Sequence, residues 1–191
     1  MKKYIISITI LLSALAMNGQ EVIWKLTYDV GFPFSSTKEF ANQVSWRGLS
    51  FDVDRFVNDN LAVGTSVSWS LFLEKEPDSY YELEEILLHG TQVRYINNIP
   101  LMARISWYQP LDMLETFFSL GIGTTWQEMR REIGTWAFTD TYWQFALAPE
   151  LGIILPVGQT YVTAKVKYVN AFKTSNAPSL SYLSLGLGFA W

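Results

Sequence analysis

The sequence predicts an all-β chain, an eight-stranded antiparallel transmembrane β-barrel wound as an up-and-down meander. Three observations predict it. The chain ends in Leu183-Ser184-Leu185-Gly186-Leu187-Gly188-Phe189-Ala190-Trp191, where large apolar side chains alternate with small ones at the strand period of two. A soluble protein seldom leaves an oily strand and a terminal aromatic at its end, whereas a transmembrane barrel closes on one. After the first residues no run of 18 apolar residues occurs, which excludes a helical span, yet 8 Trp, 10 Tyr and 12 Phe suit the aromatic girdles of a barrel wall. Finally, the connectors between alternating segments are short on one side and long on the other.

At the start, Lys2 and Lys3 precede the apolar run 5–16, which is followed by Met17-Asn18-Gly19-Gln20. A charged region, an apolar region and a small-residue zone form a signal peptide, read over residues 1–19, with cleavage after Gly19 favoured and cleavage after Ala16 the alternative. The run is too short for a helical anchor, which needs roughly 20 apolar residues. The barrel domain is then 20–191. Losing Lys2 and Lys3 takes the formal charge from -4 to -6.

Strand 1, about 22–31, turns Val22, Trp24, Leu26, Tyr28 and Val30 to one face. Strand 2, about 43–57, slips phase near Arg47-Gly48, where a bulge is expected. Strand 3, about 61–73, sets Leu61, Val63, Val67, Trp69, Leu71 and Leu73 against Ala62, Gly64 and three serines. Strand 4 covers about 91–108 and contains Pro100, which cannot donate to a ladder. Strands 5 (about 113–130), 6 (about 141–155) and 7 (about 160–170) repeat the alternation, and strand 8 ends the chain. Asn58-Asp59-Asn60, Gln109-Pro110-Leu111-Asp112 and Pro156-Val157-Gly158-Gln159 are the tight turns. Segments 32–42, 74–90, 131–140 and 171–179 are the long loops. Within them, Ser36-Thr37-Lys38-Glu39 has capping-box spacing and Tyr80–Leu88 has a weak helical pattern.

With the oily face outward, the inner face carries Lys25, Asp29, Asp52, Asp54, Arg94, Arg104, Glu115, Glu150, Lys165 and Lys167, five acids and five bases separated by small residues. Eight strands enclose only enough space for side chains, and buried charges must pair or meet water. A plugging ion-pair network is therefore the expectation, with a narrow hydrated path or small-ligand site as the alternative. Arg104 with Glu115 is the expected pair, since both sit near the turn joining strands 4 and 5.

An acidic chain without a basic run argues against nucleic acid. Zero cysteines exclude disulfides and thiolate metal sites. His89 is the single histidine. It stands at the height where a membrane lipid hydrolase would use one, but no serine nucleophile stands out beside it, so no catalytic residue is assigned. A lone histidine also argues against a transition-metal site, and no cofactor is expected. Glu74, Glu76, Asp78, Glu82, Glu84 and Glu85 form an acidic stretch mixed with Tyr80, Tyr81 and Leu83, without EF-hand spacing. It reads as a solvated loop, with divalent cations or a protein contact as the alternatives.

The stretches Tyr28-Asp29-Val30-Gly31-Phe32-Pro33, Ser45-Trp46-Arg47-Gly48, Phe56-Val57-Asn58-Asp59-Asn60-Leu61-Ala62-Val63-Gly64, Arg94-Tyr95-Ile96-Asn97 and Ala148-Pro149-Glu150-Leu151-Gly152 carry a resemblance. The chain resembles the small outer-membrane β-barrel proteins of Gram-negative bacteria, and within them the uncharacterised barrels of Bacteroidota. That resemblance implies a place in the cell outer membrane among lipid and lipopolysaccharide. It also implies insertion by the barrel assembly machinery, which reads a terminal aromatic. Most such chains end in phenylalanine; Trp191 keeps the aromatic character. The expected role is a non-enzymatic envelope component with surface loops free for contacts. The alternatives are a narrow channel or binding protein for a small molecule, an apolar one included, and a membrane lipid hydrolase.

Overall fold

The computed structural model describes residues 21–191 apart from 84, 85 and 159, and leaves undescribed the side chains of 77–89. The expected signal peptide, the His89 side chain and the side chains of Asp78, Glu82, Glu84 and Glu85 lie outside the described residues. Among the described residues eight strands form: β1 (Val22–Phe34), β2 (Gly48–Phe56), β3 (Leu61–Leu83), β4 (Ile86–Pro110), β5 (Glu115–Ile133), β6 (Trp136–Val157), β7 (Thr160–Ala171) and β8 (Leu180–Ala190), with one short helix, α1 (Ser35–Phe40). Each strand pairs antiparallel with the next and β8 pairs with β1, so the sheet closes. Closure removes every edge over the shared height of the strands. Beyond Ala190, Trp191 still exchanges two backbone hydrogen bonds with Trp24, at 2.9 and 3.0 Å.

The alternation seen in the sequence is the alternation of faces. Leu185, Leu187, Phe189 and Trp191 are exposed on the wall, while Ser184, Gly186 and Ala190 are buried inside. Pro100 and Pro149 each interrupt pairing on one side only. β3 and β4 pair from Leu61↔Trp107 to Val67↔Leu101, skip at Pro100, and resume in the same register at Ser70↔Asn98. β6 and β7 likewise skip around Pro149 between Leu147↔Asn170 and Glu150↔Lys167. Pro100 and Pro149 remain paired on their other flank, with Thr125 and Leu120. A proline lacks one N–H, and that N–H would face one neighbour only.

Four expectations change. β2 is shorter than 43–57, and the pairing of β1 steps from Tyr28↔Leu49 in β2 to an isolated bridge, Gly31↔Ser45, before it, so three steps along β1 meet four along the segment entering β2. That is the bulge expected near Arg47-Gly48. Segment 131–140 is not a loop: β5 and β6 continue to Ile133↔Trp136 around Gly134, whose φ of +59° a glycine tolerates. Segment 74–90 is likewise largely strand, with Tyr80↔His89 and Leu83↔Ile86 paired, so its weak helical pattern forms no helix among the described residues. Finally, α1 forms where the capping box stands but is not capped by it. Phe34 is the N-cap with no side-chain hydrogen bond, and Ser36 Oγ instead meets Ser179 Oγ at 2.8 Å, tying α1 to the segment before β8.

The inside is layered. Toward the tight turns, Tyr108, Phe117, Ile154 and Ala190 cluster with Phe56 and Ile23. Toward the other end, Phe72, Ile96, Met102, Val169, Leu180 and Tyr182 cluster with Phe40 of α1 and Met129. Between the two apolar layers lies a charged one.

Candidate functional site

Strand phase decides which charges reach the lumen. β1 turns Lys25 and Asp29 inward, β2 Asp52 and Asp54, β4 Arg104, β6 Glu150, and β7 Lys165 and Lys167; all eight are buried. Arg104 is the hub. Its Nη1 lies 3.0 Å from Asp52 Oδ1, its Nε 3.0 Å from Asp54 Oδ1, and its Nη2 3.0 Å from Glu150 Oε1. The contact to Glu150 is a hydrogen bond. The two aspartate oxygens have no hydrogen-bond donor, so those contacts are charge against charge at an off-axis angle. Arg104 also donates to Ser119 Oγ at 2.6 Å and Ser106 Oγ at 3.2 Å.

Lys165 bridges Asp52 at 2.6 Å and Glu150 at 3.4 Å. Lys25 donates to Asp54 at 2.9 Å and to the Tyr108 hydroxyl at 2.8 Å, and that hydroxyl donates to the same Asp54 oxygen at 2.6 Å. The ammonium also stands 3.9 Å from the centroid of the Phe117 ring, a favourable cation–π position. Among the described residues Lys167 reaches no carboxylate directly. It donates to Ser50 Oγ at 3.0 Å and Ser68 Oγ at 3.3 Å, and Ser50 Oγ in turn donates to Asp29. Four acids and four bases thus balance. Gly186 makes the close approach feasible, since a Cβ there would collide with Asp29 Oδ1 and meet Lys165 Cγ at 2.9 Å.

Two of the ten expected residues stand apart. Arg94 faces inward but near the outer end, bound to Glu76 and 3.5 Å from Glu74. Glu115 lies half-buried at the tight-turn mouth. The expected Arg104–Glu115 pair is not made: Arg104 sits opposite Gly121, while Glu115 sits opposite Pro110. The hairpin register keeps them apart, since six positions along β5 separate Glu115 from Gly121, and lying on one hairpin does not bring two side chains to one height. Sequence reading also missed Tyr108 and the serines 50, 68, 106 and 119 as members of the network. The signal was present, because Tyr108 is in phase with Arg104.

Arg104, Glu150, Lys167, Ser66, Ser68 and Ser119 help enclose a cavity of about 10 Å³, close to the room one water needs. At the tight-turn mouth a larger hollow of about 790 Å³ is lined by Ile23, Phe56, Ile154, Tyr161, Glu115 and Trp191 among others. Among the described residues no group of three or more His, Cys, Asp or Glu is arranged to hold a metal ion.

No family model matches the chain, and no curated protein matches it. Among solved structures it is similar to Neisserial surface protein A, with a TM-score of 0.57 at 10% identity over 91% of this chain and 98% of that one. It is similar as well to Ail, the attachment invasion locus protein of Yersinia pestis, with a TM-score of 0.55 at 11% identity over 91% and 100%. Both are eight-stranded outer-membrane barrels. At these identities the likeness is one of fold.

Proposed function

We propose that the chain is a non-enzymatic outer-membrane β-barrel whose lumen is plugged by its own side chains and whose outer end is free for contacts. Residues 1–19 would direct export and be removed, the assembly machinery would insert the barrel, and membrane lipid and lipopolysaccharide would meet the wall. The fold similarity and the ring of exposed aromatics support that location. Exposed Trp24, Trp107, Phe118, Phe189 and Trp191 ring one level, and exposed Trp69 and Trp143 with half-buried Trp126 another. From Phe118 to Trp126, at about 3.4 Å per residue and a tilt near 40°, the height is roughly 20 Å, close to the apolar band of such barrels.

One observation carries the plugged reading: a charge-balanced layer at mid-height that encloses a cavity of about 10 Å³, closed above and below by buried aromatic and aliphatic residues. Conduction needs a continuous aqueous path, and this layer interrupts it. Planar-bilayer recording tests it. The purified wild-type barrel is expected to show no conductance, and steady openings would overturn the plug. Arg104→Ala and Glu150→Ala, which remove bulk from the layer, are the variants in which openings would first occur.

A second reading is favoured by the hollow of about 790 Å³ at the tight-turn mouth, a volume typical of small-ligand sites. Its mixed lining, apolar at Ile23, Phe56 and Ile154 and acidic at Glu21, Asp59 and Glu115, suits a small amphipathic molecule with a polar or cationic end. Saturable binding that Phe56→Ala abolishes would support it, and partition into lipid alone would not.

A further inference from the structure

We propose that the free edge of β6 above the barrel is a docking strand for an extended segment of another protein. This rests on the reading of the outer end as a contact surface and names the part that makes the contact. Trp143 and its cross-strand partner Trp126 mark the outer girdle, and 136–142 continue past it. There the neighbour is missing. β7 ends at Ala171; Phe172 donates its N–H to the Phe145 carbonyl at 3.0 Å. The chain then leaves the wall and crosses the barrel top, where the Gln144 side chain holds the Phe172 and Pro178 carbonyls at 3.1 and 2.7 Å. Beyond that point β6 has β5 on one flank and no described strand on the other.

Which backbone groups are open follows from parity. The Phe145 carbonyl faces the β7 side, and β6 pairs with β5 without a register shift from Trp136 to Ile154. A strand residue turns its N–H and C=O to the same flank, alternating along the strand. Ala137, Thr139, Thr141 and Trp143 therefore direct theirs to the open flank. Pro149 has the same parity, and there the β7 pairing lapses while the pairing to β5 persists.

Natural edges are usually blunted by lysine, proline, a bulge or shortness. Residues 136–144 contain no lysine, proline or bulge. Asp140 is their single charge, and Trp136 and Trp143 are 59% and 61% exposed. The occupant is not a second copy. Two copies inserted the same way in one membrane are related by an axis along the membrane normal, so their tilted edge strands would cross and no ladder could form. A strand from a different protein escapes that constraint. Cross-strand matching calls for alternating β-branched and aromatic residues, with a lysine or arginine facing Asp140.

The test uses the full barrel in nanodiscs and a synthetic nonapeptide alternating valine and threonine around a central lysine. Trp136 and Trp143 fluorescence reads the binding. Wild type is expected to bind, and N-methylation of the peptide in one phase of alternate residues to abolish binding while the other phase does not. Thr139→Pro with Thr141→Pro removes outward donors only, and is expected to weaken binding roughly tenfold or more. Should that variant misfold, hydrogen exchange on wild type decides. Peptide should protect the amides of Ala137, Thr139 and Thr141 but add nothing at Phe138, Asp140 and Tyr142, which β5 already holds. No binding to wild type, indifference to both the prolines and N-methylation, or protection without alternation would overturn the edge. Any of these in a barrel that still fractionates with membranes leaves the outer-membrane reading intact; a chain that fractionates as soluble removes that reading itself.

Discussion

β1, β2, β7 and β8 run for 9 to 13 residues, whereas β3 to β6 run for 19 to 25 and rise well past them. The short flank nevertheless supplies six of the eight charges in the central layer, namely Lys25, Asp29, Asp52, Asp54, Lys165 and Lys167; the tall flank supplies Arg104 and Glu150. Inside the barrel, every strand faces another across a space that side chains fill, so polar groups find partners across the lumen. Above it the same strands have no opposite wall, and β6 has no neighbour on one side. One period-two pattern thus gives a neutralised interior below and unpaired backbone above.

The largest effect expected from breaking this contrast is at Arg104. Arg104→Met leaves Asp52, Asp54 and Glu150 facing one another with one cation fewer, and should cost about 3–5 kcal/mol in urea unfolding of the folded barrel. A cost below about 1 kcal/mol would mean that solvent already screens the layer. On the tall flank, Asp140→Pro should cost about 1–3 kcal/mol, because its N–H faces β5 and the ladder loses a bond. Tyr108→Phe removes the hydroxyl between Lys25 and Asp54 but leaves their own 2.9 Å bond, and should cost about 1–2 kcal/mol by the same measurement. Smallest is Thr139→Pro, expected within about 0.5 kcal/mol of wild type because its N–H bonds nothing in the barrel. Equal losses for the neighbouring prolines at 139 and 140 would erase the difference between the open and paired flanks of β6.

Strand number and phase were legible because lipid imposes a large apolar residue at every second position, as at Leu183, Leu185 and Leu187. Past the girdle that pressure ends. Glu128, Arg130 and Glu132 of β5 and Thr139 and Thr141 of β6 show no oily face, so extended hairpins looked like polar loops. Pairing inside the lumen was hidden for a different reason. Arg104 meets Asp52 and Asp54 of β2 and Glu150 of β6, residues distant in sequence and brought to one height by strand stagger. The Asp29–Ser50–Lys167 relay was out of reach as well, because a serine between two charges resembles any other small inner residue.

The absence of cysteine from the chain allows a direct test of the closed lumen. Ser66 lines the cavity of about 10 Å³ at mid-height, and Thr139 stands exposed on the free edge. Single-cysteine variants at the two positions, treated in the folded barrel with a small charged thiol reagent, should differ sharply. Thr139→Cys is expected to label readily and Ser66→Cys only after unfolding; labelling of Ser66→Cys in the folded barrel at a comparable rate would contradict the plug.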